Sequence, residues 1–81
     1  MHQDLLDRIS SRYATLSKGQ KRIADYITTH ADKAVRMTAA RLAQEASVSE
    51  STVVRFAALM GYDGYPKMQR ALQEMLRMRF T

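Results

Sequence analysis

The chain of 81 residues has no cysteine and no tryptophan, only one proline and only three glycines. The lack of cysteine excludes disulfide bonds and thiolate metal sites. So little proline and glycine argues against a turn-rich β fold and favours helices throughout. No apolar run approaches the roughly 18 residues of a membrane-spanning helix, and no signal-like segment opens the chain. We therefore expect a soluble, cytoplasmic protein that makes no membrane contact.

Residues that could carry out catalysis are also few. Neither His2 nor His30 has a partner at a spacing typical of a metal or acid–base site, and no phosphate-binding loop or nucleophile motif is present. The sequence therefore predicts no enzyme activity, no cofactor and no metal site.

Positive charge, in contrast, is in excess: thirteen Lys and Arg residues against eight Asp and Glu residues give a net charge of +5. An excess of this size on a small domain attracts polyanions such as nucleic acid. By itself it is weak evidence, because many small basic domains bind none. The cations are spread along the chain, so the fold must decide which of them lie together.

The segment from 37 to 61 is typical of two short helices joined by a tight turn. Thr38 and Ser49 stand where an N-cap hydroxyl accepts a backbone N–H, and each is framed by apolar residues one position before and four positions after it. The small Ala43 lets the two helices cross closely. Apolar spacings of three and four give each helix one buried stripe, formed by Leu42, Ala46, Val48, Val53, Phe56, Ala57 and Met60. This pattern predicts a helix-turn-helix unit.

The face of the second helix opposite this stripe carries the candidates for reading DNA bases. Short hydroxyls can bond to base edges, arginine can grip guanine, and an exposed apolar group can contact a thymine methyl. The predicted base readers are Ser49, Glu50, Ser51, Thr52, Val54 and Arg55. The alternative is that the serines only cap the helix and that Arg55 is a solvated surface cation.

Contacts to DNA phosphates are predicted for residues that helix geometry brings beside the second helix. These are Thr38, Arg41 and Lys67, with Lys18 and Lys21 as further candidates. Lys67 lies near the start of the last predicted helix, where backbone N–H groups also attract phosphate. Plain solvation is the alternative for Lys67.

The rest of the sequence predicts three more helices, so we expect an all-α, compact five-helix bundle that contains a helix-turn-helix. The expected bounds of these three are Gln3 to Tyr13, Ser17 to about Thr29 with a Ser17–Gln20 capping box, and about Pro66 to Met78, with a connector from Ala31 to Met37. Gly61 is expected to end the second helix of the pair in a left-handed conformation. Asp63 and Gly64 could open the hairpin of a winged fold, but no alternating apolar segment flanks them, so no wing is expected.

Several of these segments together resemble the N-terminal helix-turn-helix domain of the RpiR-type regulators. The most specific are SESTVVRF, from Ser49 to Phe56, and GYDGY, from Gly61 to Tyr65, preceded by LSKGQKRIADYI and TAARLAQEA. The resemblance covers nearly the whole chain. It implies a bacterial cytoplasmic transcription factor, usually a repressor and sometimes an activator, of sugar or amino-sugar catabolism genes. It also implies a C-terminal sugar-isomerase-like domain that binds a sugar phosphate effector, for which 81 residues leave no room.

Three positions depart from the pattern of that family. Ser47 occupies a turn position where glycine is common, so a residue with a Cβ must adopt the turn conformation. Gly19 lies inside a predicted helix, at a cost of about 1 kcal/mol relative to alanine. Pro66 stands where a serine cap is more usual, although proline is tolerated in the first turn of a helix.

Two functions remain open for what we expect to be a single domain over residues 1–81. The first is a sequence-specific DNA-binding module that reads a pseudo-palindromic double-stranded operator as a homodimer, with half-site centres about 34 Å apart or a multiple of that. The second is a helical protein–protein interaction module that docks through the helix-turn-helix. Binding to DNA would weaken steeply with salt, whereas a hydrophobic protein interface would barely respond.

Overall fold

The computed structural model describes residues 4–79, apart from the side chain of Arg79, and within that range the chain is helical without strands. The helices are α1 (Leu5–Arg12), α2 (Lys18–Thr29), α3 (Ala31–Ala34), α4 (Ala39–Ala46), α5 (Glu50–Leu59) and α6 (Tyr65–Arg79), with a 3₁₀ turn at Tyr13–Thr15. The prediction of an all-α fold without a wing is confirmed over these residues. Gln3, where the first helix was expected to begin, lies outside the described residues. Among residues 4–79, no helix is both long and apolar enough to cross a membrane.

The predicted number of five helices is wrong, because the expected connector contains the single-turn helix α3. The N–H groups of Lys33 and Ala34 donate to the carbonyl of His30 at 3.0 and 2.9 Å. The methyl group of Ala34 is buried and Ala31 packs against the core, so two small side chains hold the turn in place. A four-residue helix presents too few positions for an apolar period, and the sequence pattern therefore could not reveal it.

The three predicted N-caps are present. The hydroxyls of Ser17, Thr38 and Ser49 accept the backbone N–H groups of Gln20, Arg41 and Thr52 at 3.2, 3.1 and 3.2 Å. The Gln20 side chain returns the contact by accepting the N–H of Ser17 at 2.9 Å, which completes the capping box. The starts of α2, α4 and α5 are therefore determined by local sequence.

One apolar cluster forms the core, and every helix contributes to it. Its largest fully buried side chains are Phe56, Leu5, Ile9, Ile23, Ile27, Leu42, Met60, Met68 and Val53. Each such side chain contributes about 1.5–3 kcal/mol when it leaves water. The stripe predicted for α4 and α5 lies in this cluster, with Val48 partly buried at its edge. Because α5 is held by its inner face, its outer face is left to solvent.

Candidate nucleic-acid interface

The turn between α4 and α5 depends on one residue in a left-handed conformation. Ser47 has φ 59° and ψ 46°, and it is the only non-glycine residue with positive φ among residues 4–79. Its N–H donates to Gln44 O at 3.2 Å, and the next N–H, of Val48, donates to Ala43 O at 2.9 Å. As the sequence indicated, a residue with a Cβ adopts the turn conformation here, at a cost of about 1 kcal/mol.

The outer face of α5 holds the predicted base readers in an accessible position. Ser49, Glu50, Ser51, Val54 and Arg55 are all exposed, and 45% of the surface of Val54 faces solvent. A single exposed apolar side chain is normal on a protein surface, so the exposure of Val54 leaves it accessible without by itself indicating a ligand. That these side chains read bases stays a prediction.

The hydroxyls at the start of α5 are bonded to one another. The Oγ of Ser49 lies 3.0 Å from the Oγ of Ser51 and 2.8 Å from the Oγ1 of Thr52. Thr52 is only partly exposed, because its methyl group packs toward α2. The capping role considered for Ser49 is therefore present, while Ser51 keeps an exposed hydroxyl.

The start of α2 lies against the turn and the start of α5. A Cβ placed on Gly19 would lie 3.4 Å from Val48 Cγ1 and 3.6 Å from Thr52 Cγ2, which is ordinary van der Waals contact. Gly19, which the sequence showed only as a helix defect, therefore lies where α2 packs against the turn and α5. Lys18 is exposed beside this contact. Arg22, one turn further, donates from Nη1 to Ser47 O at 3.4 Å.

Arg22 was missed by sequence reasoning. Its guanidinium lies at the turn between α4 and α5, which puts a further cation beside the start of α5. The four-residue spacing from Lys18 places both cations on one face of α2 and was the signal that could have found it.

On its other side, α5 borders a groove that brings together the starts of α4 and α6. The groove is lined by residues at the start of α4, on α5 and at the start of α6: Thr38 and Ala39, Glu50 and Val54, and Tyr65 and Pro66. The structure therefore places Thr38 beside the outer face of α5, as a phosphate contact there requires. Pro66 occupies the first turn of α6, in agreement with its tolerance at that position.

Two of the predicted phosphate-binding cations have exposed acidic neighbours. Lys67 Nζ lies 3.7 Å from Asp63 Oδ2, and Arg41 Nη2 lies 3.3 Å from Glu45 Oε2. Exposed pairs of this kind contribute about 0–1 kcal/mol. Both cations can therefore exchange their carboxylate for a phosphate at little cost.

Lys21 is placed differently from the other cations. Its Nζ lies 5.4 Å from the centre of the Tyr13 ring, at the turn that follows α1. The Tyr13 hydroxyl donates to Asp25 Oδ1 at 2.9 Å, and this hydrogen bond raises the pKa of Tyr13. The Lys21 ammonium therefore lies near an aromatic ring, and a phosphate contact by Lys21 stays a prediction.

Arg8 ties α1 to the end of α5, a contact that sequence reasoning missed. Its Nη1 donates to Met60 O at 2.8 Å, and its guanidinium lies 4.9 Å from the centre of the Tyr62 ring. Gly61 has φ +93°, which confirms the predicted left-handed end of α5, and a Cβ there would lie 3.0 Å from Arg8 Nη1. No local pattern links residues 52 positions apart.

A second contact missed by the sequence holds the start of α4. The Tyr65 hydroxyl donates to Met37 O at 2.6 Å, and Gln69 Nε2 donates to Val35 O at 2.8 Å and to Met37 O at 3.0 Å. Burial raises the pKa of Tyr65. These bonds fasten α6 to the residues that precede Thr38 and so set the relative positions of the two helix starts that flank α5.

The likeness of this chain to known proteins extends over almost its whole length. The helix-turn-helix domain of the rpiR family matches residues 3–78. YfhH of Escherichia coli K12, an uncharacterized HTH-type transcriptional regulator, is 44% identical over 69 residues, which are 85% of this chain and 24% of YfhH. HexR of Pseudomonas aeruginosa, an HTH-type transcriptional regulator, is 39% identical over 74 residues, which are 91% of this chain and 26% of HexR.

A solved structure agrees with these relatives. The NanR protein of Vibrio vulnificus, complexed with ManNAc-6P, matches 94% of this chain and 29% of its own with a TM-score of 0.88 and 37% identity. The chain therefore spans about a quarter of the length of these relatives. Because the curated relatives are transcriptional regulators, the prediction that the chain is not an enzyme is confirmed. By sequence and by structure, the chain belongs to the rpiR family of helix-turn-helix domains.

Proposed function

We propose that this chain is the sequence-specific DNA-binding domain of a transcriptional regulator and that α5 docks in the major groove of its operator. The observation that carries the proposal is the exposed outer face of α5, which the starts of α2 and α4 flank on opposite sides. A helix fits the major groove with phosphate backbones on both sides of it. Groups beside α5 are therefore in position to contact phosphates while α5 reads bases.

In this arrangement Arg55 grips a guanine, and short or apolar side chains of α5 contact neighbouring bases. Phosphate oxygens on one side accept bonds from Lys18 and Arg22. On the other side they are bound by Thr38, Arg41 and Lys67, together with backbone N–H groups at helix starts. The net charge of +5 favours the approach of the domain to a duplex.

We further propose that the regulator controls sugar or amino-sugar metabolism in the cytoplasm and acts on a pseudo-palindromic operator as a homodimer. The support for the sugar-related role is the resemblance to the regulator HexR and to NanR, the latter solved with ManNAc-6P. A sugar phosphate effector would bind the full-length protein through a sugar-isomerase-like domain outside residues 1–81. The helix-turn-helix domain of residues 1–81 would then make all of the contacts to the operator.

Replacement of Arg55 tests the docking mode. We expect Arg55→Ala to weaken operator binding by about 1–3 kcal/mol and to relax base preference at one position. The measurement is fluorescence anisotropy with an operator selected from a random duplex library. Arg77→Ala is the matched control, because it removes the same charge at a position outside α5. Arg77 lies about 18 Å along α6 from the start of that helix at Tyr65.

If both variants lose the same amount of operator affinity, Arg55 contributes only its positive charge. If Arg55→Ala loses no affinity, the recognition face lies elsewhere. The alternative is a protein-docking role. It replaces the DNA-binding role if the unchanged domain enriches no DNA sequence and binds a protein partner equally well at low and high salt.

A further inference from the structure

The groove between α5 and the starts of α4 and α6 is lined on the α5 side by two chemically distinct side chains. Glu50 and Val54 lie one helical turn apart and both face this groove of about 520 Å³. Arg55, in contrast, lines a separate depression with Gln20, Ala58 and Leu59 on the α2 side. The outer face of α5 therefore has an arginine side and a carboxylate–valine side.

The Glu50 carboxylate is exposed and has no ion pair or side-chain hydrogen bond among the described residues. As an ionised group it can only accept hydrogen bonds. In a complex with DNA it faces a polyanion, so it must find a donor at a base edge or lose its solvation without compensation. Its sign therefore restricts which bases can lie against it.

The base edges in the major groove differ in what they offer a carboxylate. Guanine presents two acceptors, and thymine presents an acceptor and a methyl group, so both disfavour it. Adenine pairs its amino donor with an adjacent acceptor. Cytosine presents its N4 amino donor without an acceptor beside it, which makes cytosine the best match to Glu50.

Val54 supplies the second contact. Its side chain is 45% exposed, whereas the preceding Val53, on the inner face of α5, is fully buried. A branched apolar side chain in the major groove finds an apolar partner in the thymine methyl. Four residues of helix advance by about 6 Å, and base pairs are spaced by about 3.4 Å. The two contacts therefore fall within one or two base pairs of each other.

We propose that Glu50 and Val54 together read a cytosine and a thymine one or two base pairs away in each operator half-site, on the side of α5 opposite the guanine contact of Arg55. This inference rests on the proposed function and adds base identities to it. Glu50 selects mainly by exclusion, since the carboxylate repels guanine and thymine edges, while Val54 selects by contact. A helix-capping role alone would leave base preference unaffected by either side chain.

The test is selection of a random duplex library with the unchanged chain, followed by titration of the enriched site carrying each of the four bases at the proposed cytosine. We expect cytosine to be preferred by about 5- to 150-fold. Glu50→Gln should shift that preference toward adenine, because an amide can both donate to and accept from the adenine edge. Glu74→Gln, which removes the same charge on α6, should leave the preference unchanged.

The thymine contact has a test that leaves the protein intact. Replacing the proposed thymine by deoxyuridine removes only the methyl group and should weaken binding by about fourfold. The same replacement should not change the affinity of the Val54→Ala variant for the site. The control is Met78→Ala, which alters an exposed apolar residue outside α5, and its binding should still weaken fourfold. Circular dichroism of each variant checks that it folds.

The outcomes separate the inference from the function on which it rests. Failure of the unchanged chain to enrich any sequence overturns the proposed function, and the base assignments with it. An enriched site that lacks the cytosine and thymine, or a base preference that Glu50→Gln does not move, overturns only the assignments. An equal deoxyuridine penalty in the unchanged chain and in Val54→Ala removes Val54 from the readout.

Discussion

Gly19 and Gly61 differ in what an added methyl group would meet. Gly19 has an ordinary helical conformation, and its Cβ would contact two side-chain methyl groups at 3.4 and 3.6 Å. Gly61 has φ +93°, and its Cβ would lie 3.0 Å from the Arg8 guanidinium. The same substitution is therefore accommodated at one position and strained at the other.

At the residue scale we expect opposite signs for two identical substitutions. Gly19→Ala should raise the free energy of unfolding by about 0.5–1 kcal/mol, since it improves helix propensity within available space. Gly61→Ala should lower it by about 1–2 kcal/mol, because alanine is strained at positive φ. Urea denaturation of the two variants measures both values. A loss at Gly19 would mean that α2 must approach α5 more closely than one methyl group allows.

The residue scale is also where the sequence was most informative. The hydroxyls of Ser17, Thr38 and Ser49 could be identified as caps because a cap interacts with a backbone group only three residues away. The left-handed Gly61 was identified for the same reason. What Gly19 does was not predictable, since its neighbours Val48 and Thr52 belong to the turn before α5 and to α5 itself.

At the scale of helices, the position of α5 depends on bonds that reach between elements. The Arg8 guanidinium bonds to Met60 O and stacks on Tyr62, and thus joins α1 to the end of α5. Hydrogen bonds to charged groups contribute more than neutral ones when partly buried. The end of α5 is therefore held from a helix at the far end of the sequence.

We expect Arg8→Met, which keeps the apolar stem, to lower the free energy of unfolding by about 1–3 kcal/mol. The partly buried Met60 carbonyl would lose its donor. Thermal or urea denaturation measures the loss. Arg12→Met, one turn further along α1 at an exposed position, removes the same charge and should change stability by less than about 0.5 kcal/mol. Equal effects would assign the loss to net charge rather than to the Met60 contact.

A second prediction at this scale concerns Tyr65, whose pKa is raised by burial. The folded state favours the neutral phenol, so the stability this provides is complete below the unfolded pKa of about 10 and is lost as pH rises through the folded pKa. We expect the free energy of unfolding to fall above about pH 10, and to fall less steeply in Tyr65→Phe. Stability measured between pH 8 and pH 11 gives both slopes.

Tyr26→Phe is the control for that comparison. The decline should not vanish in Tyr65→Phe, because the hydrogen bond to Asp25 raises the pKa of Tyr13 as well. Identical slopes in the unchanged chain and in Tyr65→Phe would show that the Tyr65 phenol ionises freely. Its bond to Met37 O would then not hold the start of α4.

At the scale of the whole molecule, charge and shape act together. The net charge of +5 is distributed along the chain, and the fold places Lys18 and Arg22 on one side of α5 with the start of α4 on the other. A duplex bound this way contacts cations from both flanks. Its affinity should therefore depend strongly on salt.

For about five phosphate contacts, we expect the logarithm of operator affinity to fall with the logarithm of salt concentration at a slope of about −4 to −5. Lys67→Ala should weaken binding to all sequences alike and make the slope shallower by about 1. Anisotropy titrations at several salt concentrations measure both effects, and Arg77→Ala should leave the slope unchanged. A loss confined to the operator would assign Lys67 to base readout instead.

The sequence by itself determined the features that depend on near neighbours. It placed the starts of α2, α4 and α5, the buried stripe of the helix-turn-helix and the outer face of α5, because caps and helical periods act within a few residues. It also determined the excess of positive charge. It did not reveal α3, which is too short to show an apolar period.

Only the tertiary structure decided which of these features meet. The bonds from Arg8 to Met60 and from Tyr65 to Met37 join residues 52 and 28 positions apart. Packing of the common core likewise brings α2 against the turn at Val48. It also forms the groove that Glu50 and Val54 share with the starts of α4 and α6. The physical reason is that local patterns set what each helix exposes, whereas close packing of all six helices sets what lies beside it.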